Sequence, residues 1–175
     1  MDIYVETERL MLRELQGTDA EAIFELDADP EVHRFLGNAP LTHIDQAVPV
    51  IQFIRQQYID NGIGRWAVIE KTSGALIGWS GFKLILDSVN GHSVYYDLGY
   101  RFMRKHWGKG YATEVAKALL DYGFNEMNLE VIYAIADIEN LASRSVLGKV
   151  GMVCTGTFIY DNLPHHWFKL HKPSS

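Results

Sequence analysis

Residues Tyr96–Phe124 read YDLGYRFMRKHWGKGYATEVAKALLDYGF: a strand, a glycine turn and a helix without interruption. Val94, Tyr96, Leu98, Tyr100 and Phe102 alternate with Tyr95, Asp97, Gly99, Arg101 and Met103, which is the period of two of a strand. From Tyr111 the period lengthens, and Ala112, Val115, Ala116, Leu119 and Gly123 share one helical face. Between the two lies Trp107-Gly108-Lys109-Gly110, where the glycines let the backbone turn tightly and approach a ligand without Cβ interference. A helix entered this way aims the unpaired N–H groups of its first turn into the bend, and their partial positive charge suits a phosphate. Arg104, Lys105 and Lys109 add formal positive charge.

Spacing narrows the choice among phosphate-binding turns. A Walker loop, G-x-x-x-x-G-K-[ST], is not supplied by the residues after Gly108 and Gly110, and a dinucleotide fingerprint would meet Thr113 at its last position. Gly110-Tyr111-Ala112 does resemble the G-x-A of the acyl-CoA loop of GNAT N-acetyltransferases, Q/R-x-x-G-x-G/A, with Trp107 where that pattern has Gln or Arg. In this respect W-G-K-G-Y-A-T-E is similar to one branch, the ribosomal-protein-alanine N-acetyltransferases and their relatives. The resemblance implies an α/β (α+β) GNAT fold: a mixed, mostly antiparallel central sheet of six to seven strands, splayed at an acetyl-CoA cleft and flanked by helices.

A second segment strengthens the likeness. Asn140, Ser143, Leu147, Lys149 and Gly151 match the family's N-x-x-S-x-x-x-L-x-K-x-G-F, with Met152 in place of Phe. The start of the chain, T-E-R-L-x-L-R-x-L followed by x-x-D-A, extends the match over nearly its whole length. One domain, residues 1–175, is therefore expected.

Composition agrees. Hydrophobic residues make up 47% of the chain, enough for a substantial core. The net charge of -6 argues against a nucleic-acid binder and fits an anionic cosubstrate at a basic loop. The single cysteine, Cys154, excludes an internal disulfide and reads as a small buried residue on a strand. MDIYVETERL carries acidic residues and no long apolar run, so no leader, no membrane contact and a cytoplasmic location are expected. Adjacent His165 and His166 point to opposite faces of a strand, and with no third ligand in view no metal is expected.

Along the chain the pattern predicts a strand from about Val5 to Leu15 and a helix from the Thr18–Glu21 capping box to Ala28. A short helix then starts at Asp29-Pro30. Thr42 and Asp45 predict a further helix that Pro49 kinks or delays, ended by Asn61-Gly62. Arg65–Glu70 and Ala75–Leu86 form a hairpin, and Gly78 and Gly81 mark a bulge or a close neighbour. Leu129–Ala136 is a buried strand and Asn140 caps the last helix. Val153–Tyr160 and His165–Leu170 close the chain as a hairpin around residues 161–164.

The resemblance also implies roles. The strand of Leu98–Met103 should part from Val131–Ala136 at a bulge placed at Gly99, and pantetheine should lie in the gap as a pseudo-strand. Phe102 and Met103 would supply backbone contacts, one N–H near them acting as oxyanion donor. Arg104 and Gly108, Lys109, Gly110, Tyr111, Ala112 and Thr113 would hold the pyrophosphate, and Asn140 the pantetheine arm. Asp97 matches the acidic position of the branch's E-x-G-Y and is the candidate base, with a pairing to Arg101 as its structural alternative and His92, Glu70 and Glu130 as substitutes. Ser143 is the candidate that protonates the leaving sulfur or else binds acetyl-CoA. Phe35, Phe53 and Tyr58 lie in the helical regions that flank the acceptor in the family, and read equally as core aromatics.

An α-amine, with pKa about 8, needs less help from a base than a lysine near 10.4, so a protein N-terminus or a small amine is the expected acceptor. Polyamine, aminoglycoside or amino-acid acceptors stay open, as does a non-catalytic acyl-CoA sensor. The oligomeric state is also open, a homodimer included.

Overall fold

A computed structural model of the chain describes residues 1–174; Ser175, the end of the expected domain, lies outside them. Eight strands form one sheet: β1 (Ile3–Glu6), β2 (Leu10–Arg13), β3 (Arg65–Glu70), β4 (Leu76–Ile85), β5 (Tyr95–Phe102), β6 (Val131–Asp137), β7 (Val153–Tyr160) and β8 (Leu163–His171). Their order is β1-β2-β3-β4-β5-β6-β8-β7, antiparallel except between β5 and β6. The helices are α1 (Ala20–Asp27), α2 (Pro30–His33), α3 (Ala47–Asn61), α4 (Tyr111–Asn125) and α5 (Leu141–Lys149).

Eight strands replace the expected six to seven partly because the strand predicted over Val5–Leu15 is two. Thr7 N–H donates to the Leu10 carbonyl at 2.9 Å and closes a turn there, so β1 and β2 pair with each other. The first helix is entered at Gln16, not Thr18: the Asp19 carboxylate accepts the Gln16 N–H at 2.8 Å while Arg13 forks onto the same carboxylate. Pro49 falls in the first turn of α3, where its missing N–H has no partner to lose, and the helix starts late without a break. The last hairpin turns on Asp161 and Asn162 alone, both left-handed at φ 50° and 63°, so Leu163 and Pro164 already belong to β8. Cys154 is exposed on the edge strand β7, contrary to the expected burial, because β7 pairs on one side only and nearly all of its residues are exposed.

The sheet separates two cores. Under α4 lie Leu98, Phe102, Val115, Leu119, Ile132, Ala134 and Phe168; on the opposite face Leu26, Ile51, Ile54, Ala67 and Met103 pack with α1 and α3. Full burial of each large aliphatic chain contributes about 1.5–3 kcal/mol, which fixes β5 between the two layers. The bulge expected at Gly99 is absent there: β4 and β5 pair without a slip through Gly81↔Gly99. It sits instead in β4 opposite Val68/Ile69, at Ile77. Gly99 is bare for another reason, since a Cβ at that position would stand 2.7 Å from an Arg65 guanidinium nitrogen.

Candidate active site

β5 carries the site because its two edges are unequally used. Against β4 it pairs from Tyr95 to Phe102; against β6 it pairs only at Asp97↔Tyr133, although both strands continue. The two parallel strands therefore separate beyond that level, as expected from the sequence. Met103 donates its N–H to the Ile77 carbonyl at 2.9 Å, and strand alternation then turns the N–H groups of Tyr100 and Phe102 toward the parted seam. Met103 is spent on both sides, because its carbonyl accepts from His106 N–H. Of the two expected oxyanion donors, Phe102 N–H is the one left facing the gap. The Phe102 carbonyl is occupied by the half-exposed Trp107 indole, 2.8 Å away.

The glycine turn takes the shape its letters require. Gly108 and Gly110 have φ of 76° and 80°, the left-handed region, and Gly110 enters α4. Glu114 N–H bonds the Gly110 carbonyl, so the N–H groups of Tyr111, Ala112 and Thr113 precede the first intrahelical bond. Behind them the Tyr111 hydroxyl donates to Glu70 at 2.5 Å, Arg9 lies over the Tyr111 ring, and Glu114 holds Arg9 and Thr7. That bond keeps the Glu70 carboxyl below the usual carboxylate range. Arg104 and Lys105 are turned away onto Asp29 and Glu25, at 3.0 and 2.7 Å, which leaves Lys109 as the cation of the turn itself.

Asp97 lies on the α1–α3 face and Ser143 on the α4–α5 face. Asp97 is bound by Arg65 at 2.7 Å, not by Arg101, which pairs with Asp27 at 2.6 Å instead. Arg65 also donates to the backbone carbonyls of Asp97 and Gly81 and, like Arg101, lies near the Trp79 ring. Burial raises the Asp97 carboxyl above its ordinary value, against the pull of Arg65. Ser143 opens α5, where Asn140 Oδ1 accepts its N–H at 3.1 Å, so Asn140 caps the helix. Tyr100 reaches from β5 to Ser143 Oγ at 3.0 Å. Sequence reading missed Tyr100 and Arg65: one looks like a core aromatic in an alternating strand, and the other meets Asp97 only through the pairing of three strands. Of the helical aromatics, Phe53 is exposed, whereas Tyr58 turns its hydroxyl to the Arg65 carbonyl and the Leu15 N–H.

A loop of left-handed glycines at a helix start, beside a parted parallel pair, is a place for a phosphate-tailed ligand that lays amides along a strand. Residues 9–153 match the model of the acetyltransferase (GNAT) domain. The chain belongs to the GNAT acetyltransferase family. Among GNAT relatives, the uncharacterised N-acetyltransferase p20 of Bacillus licheniformis is 37% identical over 144 residues, 82% of this chain and 79% of that protein. A GNAT acetyltransferase structure from Bacillus anthracis superposes with TM-score 0.79 at 28% identity, covering 96% of this chain and 98% of that one. The spermidine N-acetyltransferase of Vibrio cholerae in complex with CoA and spermine superposes with TM-score 0.75 at 20% identity, covering 95% and 97%, a likeness of fold. As a GNAT enzyme, this chain is an N-acetyltransferase of the acetyl-CoA-dependent class. Among the described residues no helix is long and apolar enough to cross a membrane.

Proposed function

We propose that this protein moves the acetyl group of acetyl-CoA to an α-amine, that of a protein N-terminus or of a small molecule, by direct attack on the thioester. The observation that carries the reading is the single β5–β6 pair at Asp97↔Tyr133, with β5 backbone groups beyond it turned to an open seam that ends at the α4 N-terminus. In this reading the N–H groups of Tyr111, Ala112 and Thr113, with Lys109, hold the pyrophosphate. Tyr100 offers its backbone groups to the pantetheine amides, and the N–H of Phe102, whose carbonyl is taken by Trp107, stabilises the developing oxyanion. Asn140, already a cap through Oδ1, has its amide N–H₂ left for the pantetheine arm.

Asp97 and Ser143 act from opposite faces of the seam. A carboxyl raised by burial is a better proton acceptor than an ordinary aspartate, so Asp97 takes the amine's proton directly or through water. Ser143 faces the sulfur as a hydrogen donor. Arg65 limits the strength of this base, which suits an α-amine of pKa about 8 better than a lysine. Lys83, directly opposite Asp97 on β4, and Arg65 place positive charge on the acceptor face, which favours a singly charged amine over a polycation.

The test mixes the protein with acetyl-CoA and panels of N-terminal peptides, amino acids, aminoglycosides and polyamines, reading free CoA. Release with an α-amine supports the proposal. Release confined to polyamines overturns the acceptor class, and tight acetyl-CoA binding without turnover on any panel identifies a sensor.

A further inference from the structure

Tyr100 stands where β5 and β6 have already parted, its ring packed against the core beneath α4. Its hydroxyl crosses to the first turn of α5, where it donates to the Ser143 carbonyl at 3.2 Å and lies 3.0 Å from Ser143 Oγ, a pair in which either hydroxyl can be the donor. Ser143 is held from the other side as well, through its N–H to Asn140. Each hydroxyl has one proton to give. While Tyr100 donates to Oγ, the serine's own proton is left for a third atom. Burial pushes the Tyr100 hydroxyl up to about 12, so the phenol stays protonated and donating throughout the range in which such an enzyme works.

We propose that Tyr100 is a positioning residue for acetyl transfer: by donating to Ser143 Oγ it turns the serine's proton into the parted seam, toward the sulfur that leaves. The inference rests on the function proposed above. As the amine nitrogen bonds to the acetyl carbon the C–S bond breaks, and its electron pair stays on sulfur as a thiolate. The proton lost by the amine goes to Asp97 or to water. Ser143 lends the thiolate a hydrogen bond and keeps its proton, so neither hydroxyl has to be regenerated. The chain of two hydroxyls is mutually polarising, which strengthens the donation that reaches sulfur.

Titration of CoA bound to the protein, followed by the ultraviolet absorbance of its thiolate, reads this hydrogen bond without turnover. In the wild-type complex the thiol titrates below free CoA. Tyr100→Phe and Ser143→Ala each return it most of the way, and the double variant goes no further. In turnover, Tyr100→Phe lowers kcat roughly 10- to 100-fold, the scale of one hydrogen bond to a charged group, with little change in KM for acetyl-CoA. It costs nothing more in the Ser143→Ala background. The ring is retained in Tyr100→Phe, and an unchanged melting temperature separates a lost hydrogen bond from a lost fold; should that variant misfold, Ser143→Ala alone still reads the thiol. A wild-type complex whose thiol titrates as free CoA does, or losses that multiply in the double variant, overturn the proposal. Calorimetry that finds no CoA binding at all overturns the acetyl-transfer reading itself, and this inference with it.

Discussion

β5 has two seams that differ in kind. Toward β4 it makes eight consecutive pairs, from Gly78↔Phe102 to Ile85↔Tyr95; toward β6 it makes one. The first seam satisfies its backbone internally and serves as scaffold. The second leaves backbone donors without strand partners, and in a folded domain such groups need a ligand or water. In the function proposed above, rigid and open edges on one strand place the reacting atoms accurately while leaving room for them.

The comparison breaks most sharply at the Asp97–Arg65 pair, which ties the start of the open seam to the closed one. Asp97→Ala leaves the buried Arg65 guanidinium short of its carboxylate; a loss of about 3–5 kcal/mol, and of roughly 10 °C in melting temperature, is expected by calorimetry. Asp97→Asn keeps an oxygen for Arg65. It melts closer to wild type yet loses about 100-fold in kcat if Asp97 is the base; equal turnover removes that role. Gly99→Ala sharpens the same point from the neighbouring position, because its Cβ meets Arg65 backed by Asp97 and two carbonyls. Overpacking of this kind costs about 1–3 kcal/mol, read as a lower denaturation midpoint.

At the far end of the open seam, Gly110→Val forces a β-branched residue to φ near 80° where nothing but Arg9 stands close. Strain of about 1–2 kcal/mol disturbs the loop, and acetyl-CoA affinity falls about tenfold with the sheet unaffected. Smaller still is Tyr111→Phe, which removes the support from Glu70 and weakens acetyl-CoA only severalfold by calorimetry.

The pH dependence bears on both seams. Because burial raises the Asp97 carboxyl in the folded state, its charged form is disfavoured by folding: it costs stability above the unfolded carboxyl value, and the cost is relieved as pH falls through the raised one. Activity runs the other way. The acid limb of kcat/KM is expected above the ordinary aspartate range near 3.9, and Arg65→Gln moves it higher, since Arg65 is what opposes the rise. An acid limb that Arg65→Gln leaves in place assigns it to another group.

Much of the site was legible in the letters because it is local. The strand–turn–helix of Tyr96–Phe124, the left-handed glycines and the Asn140 cap depend on neighbours in sequence, and each took its expected form. What misled was the long range. The structural alternative for Asp97 is Arg101, four residues on along the same strand face, whereas its partner comes from β3, two strands away. Arg104, whose charge the sequence adds to the glycine turn, pairs with Asp29 instead. The resemblance places a bulge at Gly99, whereas the glycine there makes room for the Arg65 guanidinium.

By itself, then, the chain determined its elements, its glycine turn and the order in which strands and helices follow, since periodicity and backbone freedom act over a few residues. The tertiary structure alone decided which β5 edge stays open, which cation holds Asp97 and that Tyr100 meets Ser143. Those contacts join residues 32 and 43 positions apart, and only the stacking of strands between two cores brings them within hydrogen-bond reach.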